Sequence, residues 1–186
     1  MLDRAAEYGI DASRIAVAGE SAGGYYAMYA ALMAKDKSLL SRLGLAPLRH
    51  ADYDVKACIL NCPCTDLKLT ALSGFPAADL FMQAYVGRAL AEIKTGVCDA
   101  ELSEKSPMTY VEENFPPTFL IYGQLDQLRF NALALAERLK GKGVVHTLYK
   151  STGIFYGQHT TTMIFKGKKA FTCFEAALGF LKKELQ

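Results

Sequence analysis

The chain has 186 residues, 51% of them hydrophobic, with 21 Lys and Arg against 19 Asp and Glu for a net charge of +2. That is one domain's worth of chain with enough apolar content for a real core, which excludes a disordered tail. The near-balanced charge offers no basic surface for nucleic acid, and the longest strongly apolar stretch, Tyr25 to Ala34, is too short to span a bilayer.

Residues 2 to 9 carry the pattern of an amphipathic helix end, and Asp3, Arg4 and Glu7 do not fit a signal peptide. "IDASRIAVAG" then gives a turn and a β-branched run closed by glycine, the pattern of a buried parallel strand. Gly24 to Lys35 is apolar almost all round, so that helix must be covered on most sides. "LSRLGLAPLRHADYD" reads as a loop, and "VKACILNCPC" as a second buried strand ended by Pro63. From Thr65 to Val111 short helical patterns alternate with no strong strand, an excursion above a sheet. Its part from Leu72 to Tyr110 is a candidate pocket or cap, with Phe75, Phe81, Met82 and Tyr85 as candidate lining.

"PPTFLIYGQLD" is a third strand, and "LRFNALALAERLKGKG" a helix with Leu128, Ala132, Leu135 and Leu139 on one stripe. "VVHTLYKST" is a fourth strand. "KAFTCFEAALGFLKKEL" closes the chain as an amphipathic helix with Phe171, Phe174, Leu178 and Leu181 on one face, and Lys166, Lys168, Lys169, Lys182 and Lys183 read as solvated charge. The alternation predicts an α/β fold: a parallel sheet of about four strands flanked by helices, in a single domain over residues 1 to 186. Five cysteines are an odd number, and Cys62 and Cys64 form a C-x-C that suits neither a zinc knuckle nor a redox C-x-x-C. Reduced, mostly buried thiols in a cytoplasmic protein are the expectation.

Gly19-Glu20-Ser21-Ala22-Gly23 matches G-x-S-x-G between a strand and a helix, the context that motif requires. A strand turning straight into a helix strains Ser21, and side chains at positions 19 and 23 are expected to collide with the turn. The hydroxyl is thereby exposed, and the Ala22 N–H at the helix start is aimed at any oxyanion formed nearby. A serine nucleophile needs a base and a group to orient it, in the order Ser, acid, His. Of the three histidines, His50 precedes any candidate acid and His146 lies inside a strand, whereas His159 follows the fourth strand in a loop before the last helix. Asp126, at the end of the third strand, is the candidate acid or simply a helix N-cap, with Asp66 as runner-up.

These blocks resemble the α/β-hydrolase fold, and more narrowly the hormone-sensitive-lipase-like carboxylesterases. "IDASRIAVAGESAGG" is similar to that family's nucleophile elbow, "FPPTFLIYGQLDQLRFNALALAERLKGKGV" to its acid block, and "YKSTGIFYGQH" to its histidine block. The resemblance implies hydrolysis of small, short-acyl esters through an acyl-serine intermediate, with Ser21, His159 and Asp126 as the triad and neither metal nor cofactor. Two features depart from the family: Thr160 follows His159 where His-Gly-Phe is usual, and the upstream His-Gly-Gly segment that completes the oxyanion hole does not occur. The chain therefore resembles the carboxyl-terminal part of such an enzyme. A weak esterase is expected, associating with a copy of itself or with an amino-terminal piece through the free side of the elbow strand. A prolyl-oligopeptidase-type serine peptidase, or a silent fragment or binding subunit, remain the alternative readings.

Overall fold

The computed structural model describes residues 4–46, 53–160 and 167–186. Four strands, β1 (Ile15–Glu20), β2 (Val55–Asn61), β3 (Thr118–Gly123) and β4 (His146–Ser151), form one sheet in the order β1-β2-β3-β4, and every pair is parallel. The helices are α1 (Ala22–Lys35), α2 (Ser38–Arg42), α3 (Leu67–Leu72), α4 (Ala78–Val86), α5 (Leu90–Thr95), α6 (Asp99–Glu104), α7 (Arg129–Gly141) and α8 (Lys168–Glu184). A 3-10 turn, Pro107–Tyr110, follows α6. The predicted α/β class with a four-stranded parallel sheet is what the chain forms.

Side chains alternate across a strand, so each strand feeds two cores. Val55, Cys58 and Leu60 of β2 and Leu120 of β3 join α1, α7 and the excursion, where Met28, Ala31, Leu135 and Leu139 are buried. Ala57, Phe119 and Ile121 meet α8 on the other face through Cys173, Ala177 and Phe180. Leu128, Ala132, Leu135 and Leu139 are all buried, as their stripe predicts.

Residues 4 to 9 close as a helix end does, with Gly9 in the left-handed region at φ 63°, Tyr8 N–H on Arg4 O and Ile10 N–H on Ala5 O. Two local expectations are corrected. The stretch read as one loop contains the short helix α2, whose Leu39 and Leu40 are buried. On α8 the buried face is Ala170, Cys173, Ala177 and Phe180, while Phe171, Phe174 and Leu178 stay exposed. Small side chains let the helix lie close to the sheet, and Phe180 anchors it against the Phe119 ring at 5.6 Å between centroids. All five cysteines are free thiols. Among the described residues no helix is long and apolar enough to cross a membrane.

Candidate active site

The site is assembled at the carboxyl ends of β1, β2, β3 and β4. β1 runs into α1 with one residue between them, Ser21, whose φ of 54° is unusual for a residue with a side chain. The strain is held by hydrogen bonds on both sides. Ser21 N–H donates to Asn61 O at 3.0 Å, and Ser21 O accepts from Gly24 N–H and Cys64 N–H, each at 3.0 Å.

The glycines divide differently from expectation. A Cβ on Gly19 would sit 2.1 Å from Gly23 O, and one on Gly24 would sit 2.6 Å from Pro63 Cβ. A Cβ on Gly23 would meet nothing within 4 Å among the described residues. The collision expected at position 23 belongs to position 24 instead, because the segment after β2 crosses the start of α1 there.

Asp126 follows β3 and is fully buried. Its Oδ1 accepts from Leu128 N–H at 2.9 Å and lies 3.1 Å from His159 Nδ1. Asp126 is thus the partner of the histidine; it is not the N-cap of α7, since that position falls on Leu128 and Asp126 instead closes the turn two residues before it. His159 Nε2 lies 3.0 Å from Ser21 Oγ. A carboxylate only accepts, so Nδ1 carries the imidazole proton and Nε2 is left to accept from the serine hydroxyl. The Phe75 ring meets the His159 ring edge-on, 5.1 Å between centroids, and covers it from the side of the excursion.

The loop bearing His159 rests on the end of β3. Gly123 makes room for it, since a Cβ there would lie 2.3 Å from Gly157 O. Leu125 N–H donates to that same oxygen at 2.7 Å, and Ser151 Oγ donates to Tyr156 O at 2.6 Å. The other candidates lie elsewhere. His146 has its Nδ1 3.0 Å from Val144 O, and Asp66 caps α3 by accepting from Leu69 N–H at 2.8 Å. His50 falls outside the described residues.

Glu20, Ala22 and two thiols complete the surroundings. Burial pushes the Glu20 carboxyl upward, against the Asn61 amide that donates to it at 3.1 Å and the nearby His159. Ala22 opens α1, so its N–H belongs to the first turn, where helices leave donors unspent. Burial likewise raises the Cys64 thiol and pushes Cys62 up to about 12. Cys62, Asp126 and His159 each bring one ligand atom within 4.8 Å of the others. Both imidazole nitrogens are engaged, by Asp126 and by Ser21, and Cys62 Sγ accepts from Thr160 N–H at 3.5 Å, so these ligand atoms are already spent on hydrogen bonds.

Beside Ser21 opens a cavity of about 220 Å³ walled by Tyr25, Tyr26, Phe75, Phe81, Met82 and Tyr85, among others. Tyr25 is the keystone of this aromatic wall: its ring meets those of Tyr26, Tyr29 and Tyr85 edge-on, and its hydroxyl donates to Lys105 O at 2.7 Å.

Three supporting residues escape a reading of local pattern. Asn131 on α7 is fully buried, and its Oδ1 accepts from Thr65 N–H at 2.9 Å and Asp66 N–H at 2.8 Å, fixing the segment after β2. A polar residue beside Ala132 on an apolar stripe is the signal that marks it. Asn61 and Thr160 carry no comparable signal.

Comparison with known proteins identifies the fold family. Residues 1–160 match the alpha/beta hydrolase fold family. An esterase of Gibberella moniliformis (strain M3125 / FGSC 7600) is 24% identical over 189 residues, covering 98% of this chain and 56% of that protein. Among solved structures, a bacterial heroin esterase superposes with a TM-score of 0.70 at 27% identity, over 99% of this chain and 56% of that one. Esterase LipW from Mycobacterium marinum gives a TM-score of 0.70 at 25% identity, over 98% of this chain and 54% of that one. The chain thus spans little more than half the length of the relatives it matches. It belongs to the α/β-hydrolase fold family, on the branch of the hormone-sensitive-lipase-like esterases.

Proposed function

We propose that this chain carries the acyl-transfer site of a serine esterase acting on small, short-acyl carboxylic esters. The observation that carries the reading is the unbroken line from Ser21 Oγ to His159 Nε2 at 3.0 Å and from His159 Nδ1 to Asp126 Oδ1 at 3.1 Å. In the proposed cycle Ser21 Oγ attacks the ester carbonyl as His159 Nε2 takes its proton, and Asp126 holds the imidazole and stabilises its charged form. The Ala22 N–H donates to the oxyanion. His159 returns the proton to the leaving alcohol, and water repeats the sequence on the acyl-serine. The aromatic cavity beside Ser21 suits the apolar part of an ester and offers no charge to hold a polar one.

A fluorophosphonate probe tests the reading, because only an activated serine reacts quickly. Labelling should fall on Ser21 and vanish in Ser21→Ala while the circular-dichroism spectrum is retained. An adduct on Ser13, Ser38 or Ser41 would overturn the assignment. Faster turnover of an aminoacyl anilide than of an aryl acetate would replace the esterase by a peptidase.

A further inference from the structure

Asp126 poses a problem that its two hydrogen bonds leave open. Both fall on Oδ1, whereas Oδ2 is buried and has no hydrogen-bond partner among the described residues. A buried carboxylate oxygen without a donor is costly, and a carboxylate held on one oxygen only is free to rock about that contact. The thiol of Cys62 is close by, its Sγ within 4.8 Å of a carboxylate oxygen of Asp126 and of a ring nitrogen of His159.

Cys62 is not an ordinary buried thiol. Cys58, on the same segment, sits in regular strand. Cys62 instead has φ 46°, and of the four described non-glycine residues in the left-handed region three are Ser21, Cys62 and Thr160, all at this site. Such strain persists only where the surroundings fix it, and it gathers where geometry serves a task. Here Cys62 N–H donates to Ile121 O at 2.8 Å, and Cys62 Sγ accepts from Thr160 N–H at 3.5 Å. With the sulfur lone pair turned to Thr160, its proton is left for another acceptor. Burial, reinforced by the neighbouring Asp126 charge, keeps that proton on the sulfur.

We propose that Cys62 is a positioning residue: its S–H donates to Asp126 Oδ2, fixes the carboxylate from the side opposite Leu128, and so holds His159 in line with Ser21. The role in catalysis rests on the esterase reading above, whereas the hydrogen bond itself does not. Two measurements keep them apart. The S–H stretching band of Cys62, identified by its loss in Cys62→Ala, should lie on the low-frequency side of the five thiol bands and rise in Asp126→Asn, where the acceptor is no longer charged. A Cys62 band unmoved by Asp126→Asn overturns the proposal whatever the chain hydrolyses.

The second measurement is the rate of phosphonate labelling at Ser21. Cys62→Ala should slow it about tenfold or more, since a small misalignment of reacting groups is expensive. Cys62→Ser, which restores a donor, should recover most of the loss, and both variants should melt within a few degrees of the parent chain. Equal losses in the two variants, or none in Cys62→Ala, would overturn the positioning role. No labelling in the parent chain would instead overturn the esterase reading and with it the catalytic role of Cys62, leaving the hydrogen bond to be decided by the band.

Discussion

Gly123 is the residue through which the strand register reaches the chemistry. It ends β3 directly beneath the loop that carries His159, and a Cβ built on it would lie 2.3 Å from Gly157 O and 2.5 Å from Gln158 O. Ordinary contact begins at 3.4 Å, so the loop must retreat by about 1 Å (3.4 less 2.3) in Gly123→Ala. The strand end cannot yield in its place, because Gln124 N–H is bonded to Ser151 O at 2.9 Å and Asp126 N–H to Gly123 O at 3.1 Å. His159 is the next residue after Gln158, so the 3.0 Å contact between Nε2 and Ser21 Oγ opens toward 4 Å. A misplacement of about that size costs on the order of 10² in rate, equivalent to about 2.7 kcal/mol in the barrier. The assay is the second-order labelling rate of Ser21 by a fluorophosphonate, with Gly141→Ala as control, since a Cβ there meets nothing within 4 Å. Labelling of Gly123→Ala within threefold of the parent, with the fold intact, would refute this account of how the histidine loop is seated.

The two described histidines should separate cleanly: His159→Gln should cut Ser21 labelling by on the order of 10³, while His146→Gln, whose ring faces Val144 O, stays within twofold. Equal losses would mean that the wrong imidazole has been chosen. Asn131→Leu removes the acceptor for two N–H groups, the buried Thr65 and the half-buried Asp66, and should cost about 2–4 kcal/mol in urea unfolding. A loss under about 0.5 kcal/mol would show those groups to be satisfied otherwise. β1 pairs only with β2 among the described residues and is half-exposed along its length, so we propose that it recruits a further strand, from a second copy or another polypeptide. Light scattering should then exceed the 20.3 kDa of one chain, and a stable monomer at that mass would refute the edge argument.

The parts of this molecule legible in its sequence are those governed by neighbours along the chain. The four strands announce themselves as β-branched or aromatic runs bounded by Gly and Pro, and the corner at Ser21 by a strand, two glycines and a helix. The pairing of Asp126 with His159 follows from chain order once the corner is read, because the ends of parallel strands all open on one edge of the sheet. What stays hidden is decided by partners distant in sequence. Gly24 rather than Gly23 must lack a side chain because Pro63 crosses there, and nothing near Gly24 tells of that crossing. The buried face of α8 departs from its apolar periodicity for a related reason. Periodicity ranks positions by hydrophobicity, which favours Phe171, Phe174 and Leu178, whereas a helix laid against a sheet selects on size, which favours Ala170, Cys173 and Ala177.

The same division bears on how the site is built. Its reacting side chains sit on local corners and strand ends, but the angles between them are set by non-local contacts. Pro63 lies against Gly24, Gly123 beneath Gly157, and Asn131 beneath Thr65 and Asp66. The segment Asn61 to Asp66 takes part in most of these. Its backbone holds both sides of Ser21 through Asn61 O and Cys64 N–H, its Asn61 amide holds Glu20, and its Cys62 thiol accepts from Thr160 beside the histidine. One six-residue stretch thus touches the flanks of both the nucleophile and the base. Substitutions within it should change the reactivity of Ser21 more than their burial alone would suggest, because they shift the two reacting groups relative to one another rather than loosening the core as a whole.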